Sequence, residues 1–247
     1  MSFRVFRYSY LVIVLLATMS FASPGCGSKS RGASVKSPTP IATPTPKQRL
    51  DAAADRMQTL DGFHFLLTHE NGASTIALGL QMTKADGDFQ KPDRFKANVN
   101  AKFQSIPVSV KVINVADKTW ITNPLQAGDH YQPLPNGTQA TAILDPNTGL
   151  LKAARDVQQP QLTGSEKIGN GDSYIVQGSV DAGELQSLAT DAQPGRLVPI
   201  RVWIGKGDSL LYRIRLEGPL SDNEPRTIVR QIECSQFNEK LDIQPPS

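Results

Sequence analysis

Cys26 is the side chain of this sequence best placed for covalent chemistry. It follows an apolar run, Tyr10 to Ala22, that is headed by Arg4 and Arg7, and Ser23-Pro24-Gly25 stand between the run and the thiol. A basic start, a short apolar core and small residues at the cut describe a signal peptide over residues 1–25, too short for a membrane span. A cut there would leave Cys26 as the first residue of the processed chain. The alternative is an ordinary secreted chain in which Cys26 is incidental.

The remaining candidates for chemistry yield less. There are three histidines, His64, His69 and His130, and no Gly-x-Ser-x-Gly elbow. His64 and His69 are five residues apart in a strand-like stretch, so they face opposite sides and cannot chelate one metal. Asp86-Gly87-Asp88 reads as a solvated hairpin turn rather than a calcium site. Gly169-Asn170-Gly171-Asp172 precedes a strand instead of opening a helix, which makes it a turn and not a phosphate loop. Asn136-Gly137-Thr138 fits a glycosylation sequon. If Cys26 carries lipid, Cys234 has no partner for a disulfide, and two cysteines make no cysteine-based zinc site. Cys234 itself reads as a small buried hydrophobe. No catalytic residue, no metal ligand and no cofactor is assigned.

With no polar constellation to hold, the elements are left to position apolar surface. Residues 26–46 carry Ser-Pro, Thr-Pro and Thr-Pro-Thr-Pro steps after Cys26, a composition that favours extended backbone and makes a linker. Residues 47–247 are enough for one well-buried domain. Loss of Arg4 and Arg7 with the signal peptide lowers the formal charge from +3 to +1, which gives no argument for nucleic acid.

Leu50, Ala53, Ala54, Met57 and Leu60 recur at helical spacing, so Gln48 to Leu60 is expected as a helix ended by Asp61-Gly62. The period then changes to two. Phe63, Phe65 and Leu67 form one alternating set; Ile76, Leu78, Leu80 and Met82 a second, ending in a turn at Ala85 to Asp88. Phe95, Ala97, Val99, Ala101 and Phe103 form a third, and Val108, Val110 and Val112 a fourth, with Lys118 to Thr122 after them. A loop-rich stretch with Pro124, Pro133, Pro135 and Pro146 leads to a short helix at Leu150 to Val157. Strands resume at Ser173 to Val180, and Asp181 with Glu184 suggests a capping box opening a helix through Ala189. Val198 to Ile204, Leu210 to Glu217 and Thr227 to Phe237 come next as strands, with Leu241 to Ile243 a last short edge.

These elements make an α+β domain, a single large curved antiparallel sheet whose apolar face is covered by about three helices. Between such layers an apolar cavity is easily left. Phe63, Phe65, Leu67, Ile76, Leu78, Leu80, Met82, Phe95, Val99, Phe103, Val108, Val110 and Val112 are its candidate walls. Alternation alone is equally consistent with a filled core. Lys91, Arg94, Lys96, Lys102 and Lys111 make the same region basic, which suits a solvated outer face or contact with anionic headgroups.

Several stretches in register resemble one family of bacterial lipoproteins, that of LppX, LprA, LprF and LprG. They are Leu60 to Phe65 (LDGFHF), Lys91 to Phe95 (KPDRF), Leu144-Asp145-Pro146 with Gly149-Leu150, Tyr174 to Gly178 (YIVQG), Ile200 to Ile204 (IRVWI), Leu211 to Gly218 (LYRIRLEG) and Ser235 to Asn238 (SQFN). Where that family commonly has Trp-Ile-Asp, this chain has Trp203-Ile204-Gly205. Cys26 itself resembles a lipobox cysteine, with Ser23 where leucine is usual. The resemblance implies a half-barrel like that of LolA and LolB around an apolar cavity. It also implies binding of acylated lipids or glycolipids and their carriage toward the outer envelope, from an extracytoplasmic site on the cell membrane. An exporter in that membrane is an implied partner, and an envelope-sensing or regulatory lipoprotein on the same fold is the competing function.

Overall fold

The computed structural model describes residues 43–124, 126, 128–134 and 149–246. The signal peptide, Cys26, most of the expected linker and the sequon at Asn136 to Thr138 lie outside the described residues. Thr43 to Ser247 form one compact unit.

Helix α1 runs Pro46–Gln58. Its start lies two residues ahead of the expected one, because Thr45 and Gln48 form a capping box and Pro46 occupies the first turn. A proline there costs no hydrogen bond, so the last Thr-Pro step opens the helix instead of extending the linker. Leu50, Ala53, Ala54 and Met57 are the buried stripe.

The strands are β1 (Gly62–Glu70), β2 (Ser74–Thr75), β3 (Gln81–Gln90), β4 (Arg94–Phe103), β5 (Ile106–Val115), β6 (Lys118–Thr122) and β7 (Tyr131–Pro133). After helix α2 (Leu150–Arg155) come β8 (Gln158–Ile168), β9 (Gly171–Asp181), β10 (Leu197–Gly205), β11 (Leu211–Glu217) and β12 (Val229–Ser235). They form one 12-stranded sheet in the order β7-β6-β5-β4-β3-β1-β12-β11-β10-β9-β8, with β2 on β3. Every pairing is antiparallel. Two meanders are thus joined through β1 and β12, where Phe65 faces Cys234 and Leu67 faces Ile232. Helix α1 lies against α2, β8, β10 and β11, and α2 against β9. The helices therefore cover the β8–β11 half of the apolar face.

Five expectations are corrected. Asp86-Gly87-Asp88 is the middle of β3, not a turn; the chain turns later, at Lys91 to Asp93. The acids are accommodated because the register sets His64 opposite Asp88 and Asp88 opposite Lys96 on the outer face, an opposite-charge ladder of the kind that stabilises sheets. Residues 75–83 are not one strand. After β2 the chain makes a short 3-10 turn at Ala77–Gly79, with Leu78 in the left-handed region (φ 61°), which breaks the alternation. Leu78 is consequently 53% exposed and lines no buried wall. Asp181 does cap, accepting from the Gly183 and Gly195 amides, but it opens only a 3-10 turn at Ala182–Leu185. Glu184 does not reach back; it pairs with Lys152 of α2. Leu241 to Ile243 form no strand; Ile243 is buried, and its carbonyl accepts from Arg94 at 2.5 Å.

The fifth correction is β8, an 11-residue strand that the apolar pattern does not reveal. Its sequence, QQPQLTGSEKI, is polar and carries Pro160 and Gly164, and nearly every residue is exposed. It is the edge of the sheet, where neither proline nor a lack of apolar alternation is penalised.

Candidate functional site

The register lines up the inward-facing residues in rows across the strands. One row is Phe65, Gly87, Ala97, Val112 and Ile121, from β1 through β6. The next is Leu67, Ala85, Val99 and Val110, and a third pairs Met82 with Ala101 and Val108. At one end Phe63, Phe89 and Phe95 form an aromatic row. Large side chains on β1 and branched ones on β5 thus flank a floor of Ala85, Gly87, Ala97 and Ala101. Such a floor exists because β3 and β4 approach closely: a Cβ on Gly87 would sit 2.1 Å from the Lys96 carbonyl oxygen.

Of the thirteen wall candidates, Phe63, Phe65, Leu67, Leu80, Met82, Phe95, Val99, Val110 and Val112 are buried. Ile76, Phe103 and Val108 are partly buried against the same core. Leu78 alone stands outside. Ala97 and Ala101 stand in the alternating set read from the sequence, whereas Ala85 and Gly87 fall in the stretch read as a turn, because the aspartates beside them look like turn residues. The signal is present all the same: Ala85 and Gly87 also alternate.

Polar groups interrupt the apolar face at both ends. At one, Asn114 donates to the Asp93 and Ala116 carbonyls at 2.9 and 3.0 Å, and accepts from Thr119 at 2.6 Å. At the other, Arg230 is wholly buried and paired with Glu224. Its Nε donates to Ser74 Oγ at 2.8 Å. Ser74 Oγ also lies 2.8 Å from His69 Nε2, and His69 Nδ1 lies 3.1 Å from the Thr83 carbonyl. The carbonyl can only accept, so Nδ1 carries the proton and Nε2 accepts from Ser74. This chain of hydrogen bonds requires neutral imidazole. Burial, reinforced by the Arg230 charge, lowers the His69 pKa to about 4.

His64 and His69 do face opposite sides of β1. His64 Nδ1 lies 2.9 Å from Asp88 on the outer face, in a cleft of about 200 Å³ with Asp86, Lys96, Lys111 and Tyr131. A smaller cleft of about 80 Å³ lies beside α1, where Arg49 stacks 3.8 Å over the Tyr174 ring. Of the basic residues singled out, Lys96 pairs with Asp88 and Lys111 with Asp129. Cys234 is buried in β12, and burial pushes its thiol up to about 12, which removes it as a nucleophile. Among the described residues no group of three or more His, Cys, Asp or Glu side chains is placed to hold a metal, and no helix is long and apolar enough to cross a membrane. What the arrangement presents is a buried apolar face on β1 and β3–β5.

Comparison with known proteins places the fold and the family. The lipoarabinomannan carrier protein LprG of Mycolicibacterium smegmatis is 26% identical over 210 residues, covering 83% of this chain and 85% of LprG. LprF of Mycobacterium tuberculosis, named as a candidate diacylated glycolipid transporter, is 29% identical over 201 residues, covering 78% of this chain and 75% of LprF. In fold, the crystal structure of Mycobacterium bovis LprF matches with a TM-score of 0.65 at 19% identity, covering 82% of this chain and 97% of that one. LppX of Mycobacterium tuberculosis matches with a TM-score of 0.58 at 19% identity, covering 81% and 98%. The family model described as LppX_LprAFG lipoprotein matches residues 45–243, and this chain belongs to that family.

Proposed function

We propose that this protein is an extracytoplasmic lipid carrier that is anchored through an acylated Cys26 and holds the acyl chains of a lipid or glycolipid against the inner face of β1 and β3–β5. The observation that carries the reading is the floor of Ala85, Gly87, Ala97 and Ala101 between flanking Phe65, Leu67, Val110 and Val112. A filled core is served best by interdigitating large residues. A row of small ones makes a shallow groove that a methylene chain fits, and each buried methylene contributes about 0.8 kcal/mol. Such a site needs no catalytic group. The names of LprG and LprF, carriers of lipoarabinomannan and, as a candidate, of diacylated glycolipids, support the same ligand class. Phe63, Phe65, Leu67, Leu80, Met82, Phe95, Val99, Val110 and Val112 are the proposed wall, with Ile76, Phe103 and Val108 at its margin. Leu78 is not part of it.

Tethering supports carriage toward the outer envelope: a domain on a proline-rich linker after Cys26 can reorient above its donor membrane. Native mass spectrometry of protein purified without detergent tests the reading. The expected spectrum contains adducts of lipid mass that solvent extraction removes. A uniformly lipid-free protein that also fails to take up added diacyl lipid would overturn it.

A further inference from the structure

Four large apolar side chains are conspicuously exposed among the described residues, and three of them stand on one rim of the sheet. Leu78 (53% exposed) precedes β3, Ile106 (60%) opens β5, and Leu197 (56%) opens β10. The register confirms the shared rim: Gln81 pairs with Lys102 and Phe103 with Ile106, while Glu70 and Glu217 both pair with Val229 beside the start of β12. Pro44, where the described chain begins, lies at the opposite rim with Gly205 and Ser209.

One of these side chains is held outward by strained backbone, and a second follows a tight two-residue hairpin turn. Leu78 itself has φ 61°, and Ile106 comes directly after Gln104 and Ser105 at φ 47° and 71°. Bulky residues rarely adopt the left-handed region, and none of these is glycine. A leucine held outward in such a conformation gains nothing from the core.

The rim carries charges of both signs, but two of its cations stand apart from the ion pairs. Lys102 and Arg226 are exposed, and neither has an acidic partner among the described residues. Three nearby acids are ion-paired, Glu70 with Arg215, Asp222 with Arg196 and Glu224 with Arg230, while Asp191 and Asp181 accept from the Ser221 hydroxyl and from the Gly183 and Gly195 amides. Exposed aliphatic tips beside uncompensated cations match an anionic bilayer surface, whose headgroups attract the cations while the tips enter the acyl boundary.

We propose that this rim docks on the surface of an anionic phospholipid bilayer, with Leu78, Ile106 and Leu197 as inserted tips and Lys102 and Arg226 as headgroup contacts. Docking builds on the carrier reading, since it turns the β3–β5 trough toward the membrane from which chains are drawn.

The test uses the full chain with Cys26→Ser and one added cysteine carrying an environment-sensitive fluorophore, at Leu78→Cys, Ile106→Cys or Leu197→Cys. Leu162→Cys is the control, because Leu162 is exposed on edge strand β8 away from the rim; Cys234 stays buried and unlabelled. With vesicles of phosphatidylcholine and phosphatidylglycerol in equal parts, the three rim labels should blue-shift and be quenched by lipid-borne quencher, while the control is unchanged. Lys102→Gln and Arg226→Gln should each weaken partitioning to these vesicles by about fivefold and leave binding to phosphatidylcholine alone unaffected. Silent rim labels, or a control that shifts equally, would overturn the proposal. Bound-lipid mass read on the same preparations separates the two claims. A lipid-loaded protein with silent rim labels refutes docking alone. A lipid-free protein with shifted rim labels upholds docking and refutes only the carrier.

Discussion

The rings of Phe65 and Phe95 stack with centroids 5.3 Å apart although their strands, β1 and β4, are not neighbours. They meet across β3 because Gly87 stands between them, paired with Phe65 on one side and beside the Phe95 strand on the other. A side chain on β3 at this point would separate the rings. The aromatic end of this apolar face is therefore built by a glycine that the sequence places between two aspartates.

Gly87→Ala should be strongly destabilising, since the new Cβ meets the Lys96 carbonyl oxygen and the Ala97 Cα, which are backbone and cannot rotate away. A loss of at least about 1–3 kcal/mol is expected, as for overpacked cores. Urea unfolding followed by circular dichroism measures it. An unchanged midpoint would mean that β3 and β4 do not approach this closely.

Ala97→Phe should fill the floor of the trough. Folding should survive with a loss of about 1–3 kcal/mol, while lipid retained per protein falls sharply. Asn98→Phe, one residue on and facing outward, should leave lipid content unchanged. Equal lipid in the parent and both variants would exclude the trough as the lipid site.

The His69 network makes stability depend on pH in a fixed direction. The folded-state pKa of about 4 lies below the ordinary 6.5, so the unfolded chain binds the proton more readily. The contribution is fully present above pH 6.5 and is lost as pH falls from 6.5 through about 4. Its full size is on the order of 3 kcal/mol. His69→Gln should flatten the denaturation midpoint across that window relative to the parent chain; an identical pH profile in both proteins contradicts the assignment.

Arg230→Met would leave Glu224 buried without its partner, at a cost of about 3–5 kcal/mol. Replacing both, as Arg230→Met with Glu224→Leu, should recover much of that loss. Chemical denaturation of the two variants decides it, and a double variant no more stable than the single would assign the cost to the Ser74 and Gly218 contacts of Arg230 instead.

Thiol counting tests the anchor. With Cys234 buried and its thiol pushed up to about 12, native protein from membranes should take up no alkylating label, and unfolded protein one equivalent. A label incorporated before unfolding would mean that Cys26 is free and that the anchor reading is wrong.

Much of this architecture is legible in the alternation. Strands β1, β4, β5, β6 and β10–β12 stand near where period-two apolar runs place them, and α1 where the period is helical. The failures share a cause, which is that the pattern records burial and not hydrogen bonding. Edge strand β8 buries almost nothing and so leaves no trace. Asp86 and Asp88 look like turn residues because the side chains that meet them, His64 for both and Lys96 for Asp88, cannot be paired with them from the sequence alone. Leu78 continues the alternation on paper, but its backbone turns left-handed. The wall of the candidate site can be read from its large residues, and Ala97 and Ala101 of its floor from the same alternation; Ala85 and Gly87 are hidden by the aspartates that make their stretch look like a turn.

Whether acyl chains lie in the trough can be decided by photocrosslinking with a diacyl lipid that carries a diazirine near the end of one chain. Adducts should form on peptides of β4 and β5, at the inward residues Ala97, Val99, Val110 and Val112, and should be reduced by Ala97→Phe. Adducts confined to the outer-face cleft around His64 and Tyr131, or no adducts in lipid-competent protein, would contradict a carrier that holds its cargo there.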